Sequence, residues 1–265
     1  MNVMSELVDL SGYIEEGQPG VGTETVLFTT LTHAERGHQV KQELESRGLD
    51  GETEYVKRHL RAQREGYNEQ QPMTRSMMVS EHGPTHVDSI DHLDPTSDLS
   101  IDEMPMDWFY GDAICLDMTE IEYPDHITED RIVAALEQTG LSIPEEGTVL
   151  FDTGHHEANY SATDIEKKYI YENEWIGMTE AAGEFVVEAG ARAIGIDAIS
   201  VDNLERIEPN YEFPVHALAS RENIVIYENL TNLSAVAGEQ FTFSGMPLKI
   251  RDGTGSPVRP FAILD

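Results

Sequence analysis

His82-Gly83-Pro84-Thr85-His86-Val87-Asp88-Ser89-Ile90-Asp91-His92 sets three imidazoles and two carboxylates inside eleven residues of a 265-residue chain. Such density is what a metal site needs. Neutral imidazole and carboxylate suit zinc or manganese, and a carboxylate can bridge two cations as a single nitrogen cannot. Pro84 disfavours a helical conformation at Gly83, which predicts a strand-to-helix elbow at His82 with His86 inside the first turn. That elbow would aim both rings at one point. The chain also has 10 His among 50 Asp+Glu, so hydrogen-bonded surface or core histidines are the competing reading, and composition alone favours a metal only slightly.

Outward from this stretch, short apolar runs bounded by Gly, Pro or Asp predict strands near 7–10, 26–30, 77–79, 113–118, 149–151, 193–196, 224–227, 241–243 and 258–264. Helical patterns intervene. Thr128-Glu129-Asp130 places a cap and acids before Ile132, Val133 and Leu136, with Gly140 as the stop, and a second helix is expected from Thr179 to Ala189. The alternation predicts an α/β domain spanning residues 1–265. One segment differs: residues 33–71 are strongly polar and read as a helical insertion broken at Gly48-Leu49-Asp50-Gly51. Its stripe of Arg58, Arg61 and Arg64 reads as an exposed salt-bridged face. His92–Asp107 is a loop rich in Asp, Ser and Pro.

Composition excludes several roles. The net charge of −33 would repel nucleic-acid phosphates and anionic headgroups, so neither nucleic acid nor membrane is expected as a partner. The acids are dispersed through segments rich in Val, Ile, Leu and Ala, which reads as a folded acidic shell rather than a disordered tail. Few of the basic residues are Lys, a pattern expected of a halophilic protein from a salt-accumulating cytoplasm, where salt screens the repulsion. Cys115, the single cysteine, lies in an apolar run and reads as a buried, inert thiol. No apolar stretch long enough to span a bilayer occurs, and the start MNVMSELVDL has neither a basic nor an apolar leader region. A cytoplasmic protein is expected.

Several common catalytic motifs are missing. Gly20-Val21-Gly22-Thr23-Glu24-Thr25 lacks the third glycine of a dinucleotide fingerprint, and His155-His156-Glu157 is not a zincin helix. The His82–His92 stretch instead resembles the H-x-G-T-H-x-D-x-P-x-H signature of the cyclase family of metal-dependent hydrolases, which includes bacterial kynurenine formamidase and isatin hydrolase. Further blocks agree in family order. Val8-Asp9-Leu10-Ser11 with Glu15-Glu16-Gly17-Gln18-Pro19 is similar to the amino-terminal D-L-S…E-G-x-P, and Gly195–Asp202 to the G-I-D-A-x-S-x-D strand and turn. His216 followed by Glu228-Asn229-Leu230 resembles the H-x11-E-N-L segment. Pro247-Leu248-Lys249 and Gly255-Ser256-Pro257-Val258-Arg259 resemble the carboxy-terminal P-L-K…G-S-P-V-R. Two departures, Pro84 for the usual Gly and Ile90 for the usual Pro, remove no ligand but fall where the pocket is shaped.

The resemblance implies a swivelling β/β/α cyclase-like domain with a strand-rich core and outer helices, as a homodimer or homotetramer. It implies two divalent metal ions, Zn or Mn: one held by His82, His86 and Asp88, the other by Asp88, His216 and Glu228. His92 would shuttle a proton as the catalytic residue, and no organic cofactor is expected. Formamidase-like members carry Glu at the position of Glu228, whereas isatin hydrolases look mononuclear with Gln there. The implied activity is arylformamidase-like hydrolysis of a small-molecule amide, N-formylkynurenine to kynurenine and formate, within tryptophan catabolism. A cyclic amide or imide hydrolase of the isatin type, and a non-catalytic metal-binding member of the fold, are the alternatives. His155 and His156 follow a strand where members place a pocket loop; substrate contact and exposed loop histidines stand as equal readings.

Overall fold

A computed structural model describes residues 5–19, 27–31, 74–92, 94, 96–207 and 212–264. Two compact units emerge, Val26–Met78 and the remainder of the chain. The smaller contributes an antiparallel pair, β2 (Leu27–Leu31) and β3 (Thr74–Met78). The polar segment 33–71, with its arginine stripe, lies outside the described residues.

The larger unit is built on one mixed sheet of nine strands. Its strands are β1 (Glu6–Asp9), β4 (His86–Asp88), β5 (Tyr110–Asp117), β6 (Thr148–Asp152), β7 (Ala193–Ile196), β8 (Val225–Glu228), β9 (Gln240–Ser244), β10 (Gly255–Pro257) and β11 (Phe261–Leu264). They lie in the order β1-β11-β9-β5-β6-β7-β8-β4-β10. The central β5, β6, β7 and β8 run parallel, and both flanks are antiparallel.

The central strands are apolar on both sides because each face covers a separate core. Along β5, Ile114 and Leu116 join Val149, Phe151, Ile194, Ile196 and Ile226 in a cluster closed by helices. Ala113 and Cys115 point the other way, with Leu150, Val225, Tyr227, Phe241 and Phe243. The strict alternation is the strand period of two. Cys115 is buried, as its apolar setting predicted, and burial holds its thiol well above the ordinary range.

The covering helices begin and end where the sequence places them, although the Thr128 side chain makes no capping hydrogen bond. Helix α1 (Glu129–Thr139) opens after Thr128 and stops at Gly140, whose φ of 71° is the left-handed cap a glycine takes without cost. Short α2 (His155–Asn159) and α3 (Ile165–Asn173) follow β6. Helix α4 (Glu180–Glu188) begins on Thr179, whose hydroxyl accepts the Ala182 N–H at 3.2 Å. A turn of helix α5 (Leu204–Ile207) precedes α6 (Pro214–Glu222), where Pro214 stands at the first helical position. Ile132 from α1, Ala182 and Val186 from α4, and Val215 and Ala219 from α6 seal the first cluster.

One expectation is corrected here. His86 lies not in a helical first turn but in β4, between β8 and β10; only Ile90–His92 turn into a 3₁₀ helix. Pairing on both sides decides this, since β4 hydrogen-bonds to two neighbours that the local sequence does not reveal. Both β4 and β10 are three-residue strands without an apolar run, and the hydrophobic pattern therefore missed them.

Candidate metal centre

The β4–β8 register builds the site. His86 lies opposite Glu228, and Asp88 opposite Ile226. Directly opposed residues, and residues two apart on a strand, share a face. His86, Asp88 and Glu228 therefore stand together on the face that carries Ile226 and α6, while Val87 packs into the opposite cluster. His216, in the first turn of α6, enters from the helical side.

The side chains converge on Asp88. Its Oδ1 lies 2.8 Å from His82 Nδ1 and 3.4 Å from His86 Nε2, and its Oδ2 lies 3.4 Å from His216 Nε2. Glu228 spans the same pair of imidazoles, with Oε2 at 3.5 Å from His86 Nε2 and Oε1 at 3.4 Å from His216 Nε2. All five of the ligands expected from the sequence meet. Asp88 faces both ring systems with separate oxygens, as a bridging carboxylate must.

Each ring is oriented from behind. His86 Nδ1 lies 2.9 Å from the Pro84 carbonyl, which accepts only, so Nδ1 carries a proton and Nε2 is the atom turned to the site. His216 Nδ1 lies 2.6 Å from Asp202 Oδ2 with the same consequence. His82 Nε2 lies 2.9 Å from Thr254 Oγ1, whose own proton is directed to Glu81 Oε2 at 3.2 Å. That leaves Nδ1 as the atom His82 turns toward Asp88. Gly255 makes room, for a Cβ there would sit 2.7 Å from His82 Cε1.

The residues fit a cation. Asp88 Oδ2 is buried and accepts no hydrogen bond, an arrangement whose desolvation cost calls for a positive charge beside it. The electrostatics agree. Burial alone would depress His86, yet its hydrogen bonds with Asp88 and Glu228 raise it to about 10. Burial opposes protonation of His216 too, but Asp202 and Asp88 hold it well above its ordinary range. The carboxyl of Asp88 is held well below the usual range against its own burial by the imidazoles of His216, His82 and His86 around it. This pocket of carboxylates draws positive charge into buried imidazoles. Among the described residues, His86, Asp88 and Glu228 form one group with metal-ligand spacing, and His82, Asp88 and His92 another.

His92 stacks on His82, with ring centroids 4.0 Å apart, and lies 6.1 Å from the His216 ring. Burial pushes its pKa below 6.5, and the neighbouring His82 and His216 push the same way against Asp88 and Glu228. A neutral imidazole thus lies beside the convergence point.

His155 and His156 are not exposed loop histidines. Gly154, left-handed at φ 71°, turns the chain directly from β6 into α2, and the two side chains are 5% and 7% exposed. His156 Nδ1 lies 3.2 Å from the Tyr171 hydroxyl, which donates to Asn229 Oδ1 at 2.6 Å. Burial lowers both rings, His156 to about 4. Asp202 and Thr254, which orient His216 and His82, received no role from the sequence, although Asp202 closes the matched Gly195–Asp202 block. A cavity of about 370 Å³ beside α1, lined by Asp117, Glu120, Arg131 and Gln138 among others, contains none of the site residues.

The Cyclase family model matches residues 8–203. The chain belongs to the cyclase family. That match includes His82, His86, Asp88 and His92 and ends before His216 and Glu228, which the tertiary structure brings to them. Kynurenine formamidase of Bacillus cereus is 25% identical over 183 residues, 69% of this chain and 76% of that protein. Isatin hydrolase of Roseibium aggregatum is 34% identical over 79 residues, 30% of this chain but only 28% of that protein. The crystal structure of an isatin hydrolase bound to the product analogue thioisatinate superposes with a TM-score of 0.76 at 21% identity, covering 98% of this chain and 92% of that one. The cyclase fold is therefore shared. No helix among the described residues is long and apolar enough to cross a membrane.

Proposed function

We propose that this cyclase-family chain is a metal-dependent hydrolase that cleaves an amide C–N bond, with N-formylkynurenine as substrate and kynurenine and formate as products. The observation that carries the reading is the convergence of His82, His86, His216 and Glu228 on Asp88, whose buried Oδ2 has no hydrogen-bond partner. His82, His86 and Asp88 would hold one divalent ion and Asp88, His216 and Glu228 a second, zinc or manganese. Bound there, the ions would activate water as a nucleophile and polarise the substrate carbonyl. Two dications need more than one carboxylate to offset their repulsion, and Asp88 with Glu228 supplies two.

His92 moves the proton. Held neutral beside the convergence point, it accepts a proton as the nucleophile forms and returns it to the departing nitrogen as the C–N bond breaks. Asp88 and Glu228 keep the ligand rings in place throughout. A second reading, hydrolysis of a cyclic amide such as isatin, is favoured by the 34% identity to isatin hydrolase; Glu228 weighs against it. A homodimer or homotetramer is part of the same proposal, and sedimentation measures it.

The test is an assay of the zinc- or manganese-loaded protein on N-formylkynurenine, simple formanilides and isatin. Formate release is the expected result. Ring opening of isatin without formate release would establish the second reading, and inactivity toward every substrate with metal bound would leave a metal-binding protein only.

A further inference from the structure

Asp202 has no exposed surface, and its carboxylate makes three contacts. Oδ1 accepts the Val215 N–H at 2.8 Å; Oδ2 accepts the His216 backbone N–H at 3.2 Å and the His216 Nδ1–H at 2.6 Å. The first two satisfy N–H groups that the opening turn of α6 cannot pair internally. The third bears on chemistry. A carboxylate can only accept, so it holds a His216 proton on Nδ1 and leaves Nε2, the atom turned toward Asp88 and Glu228, as the one available to a metal.

We propose that Asp202 is the positioning residue of the second metal subsite, fixing at once the tautomer and the direction of His216. The inference rests on the metal-hydrolase reading above. It goes further by assigning a task to a side chain that touches neither substrate nor metal. The three other rings of the site lack such a device: His86 leans on a neutral carbonyl, His82 on a hydroxyl and His92 on the ring of His82. His216 alone among these four has a buried carboxylate behind it, which raises the basicity of the nitrogen facing the site. It also reaches the site from a helix rather than from β4. Asp202 ties that helix start to the loop after β7, so backbone placement and ring orientation are set by one group.

Asp202→Ala would remove the helix cap together with the ring contact and could act through stability alone. Asp202→Asn separates them in part, giving up the His216 N–H bond but keeping the other half of the cap. Its amide oxygen can still accept from Val215 N–H. Its NH₂ group then faces His216 and favours a proton on Nε2, where a ligand lone pair is required. Zinc titration with a competing chelator, together with the thermal midpoint of the apoprotein, reads both effects. The expected outcome is a folded apoprotein with a somewhat lowered midpoint and zinc affinity at one of two sites weaker by about 10–100-fold, the usual loss when such a partner is removed.

Parent-like affinity at both sites in a folded Asp202→Asn would overturn the assignment while leaving the hydrolase reading intact. A parent protein that binds no zinc would instead defeat the hydrolase reading itself. A third measurement needs no variant. In ¹⁵N spectra of the zinc-loaded parent, His216 must show a protonated Nδ1 and a zinc-bound Nε2; zinc on Nδ1 would overturn the proposal even if the Asn variant fails to fold.

Discussion

At the scale of single residues, His92 separates catalysis from metal binding. His92→Ala is expected to keep its metals, since the ligands are elsewhere, and to lose roughly two to four decades of turnover, the usual share of general acid–base catalysis. The loss is expected to be greater for an alkyl amide than for an activated ester, whose departing oxygen needs less protonation. Burial depresses the pKa of His92 below 6.5. The neutral ring is therefore present above that value, and kcat/KM is expected to fall as pH drops through a point under 6.5. An acid limb centred above 6.5 that persists in His92→Ala would move the role to another group. Glu228 is the complementary case. Glu228→Gln is expected to leave the His82 subsite filled and empty the other, and anomalous scattering from crystals soaked in manganese would count the ions.

Secondary-structure elements carry the next two predictions. Strand β10 contributes no ligand, yet Gly255 lies opposite Asp88 and leaves the space that His82 occupies. A Cβ there would fall 2.7 Å from His82 Cε1 and 3.0 Å from the Val87 carbonyl. Gly255→Ala is expected to push His82 off its position and lower metal affinity at least tenfold, a result that equilibrium dialysis would check. The loop ends of β6 and β7 are joined by Asp197, which accepts the Thr153 N–H at 2.9 Å and hydroxyl at 2.6 Å. Burial, reinforced by Asp152, raises Asp197 from 3.8 to about 7. Between those values the folded protein keeps a proton that the unfolded chain has lost, so stability must decline as pH rises across that interval. Asp197→Asn removes this titration. Its melting temperature is expected to vary less than the parent's between pH 5 and pH 8, and identical slopes would exclude the effect.

For the whole molecule the dominant quantity is charge. A net charge of −33 acts against compaction wherever it is unscreened, and a molar monovalent salt shortens the screening distance to about 3 Å. The melting temperature is expected to rise steadily from low to molar KCl. A flat response would dismiss salt adaptation without affecting the chemistry of Asp88 and its neighbours. The sheet tolerates this acidic exterior because both of its faces are sealed by apolar side chains. Burying each Ile, Leu, Val or Phe there contributes on the order of 1.5–3 kcal/mol.

The local sequence determined the central strands, the helices α1 and α4, the buried state of Cys115 and the His/Asp density of 82–92. Each depends on periodicity, capping or composition within a few residues of chain. The resemblance to cyclases supplied His216 and Glu228, which spacing alone could not have singled out. Only the tertiary structure decided that His86 belongs to a strand, because β4 is three residues long and is held by two partners remote in sequence. The same pairing set His86 against Glu228 on one face. Asp202, Thr254 and Gly255 acquire their tasks only when loops and an edge strand close around three imidazoles. Hydrogen-bond partners of that kind are chosen by register and helix placement, which follow from long-range packing and leave no periodic trace in the chain.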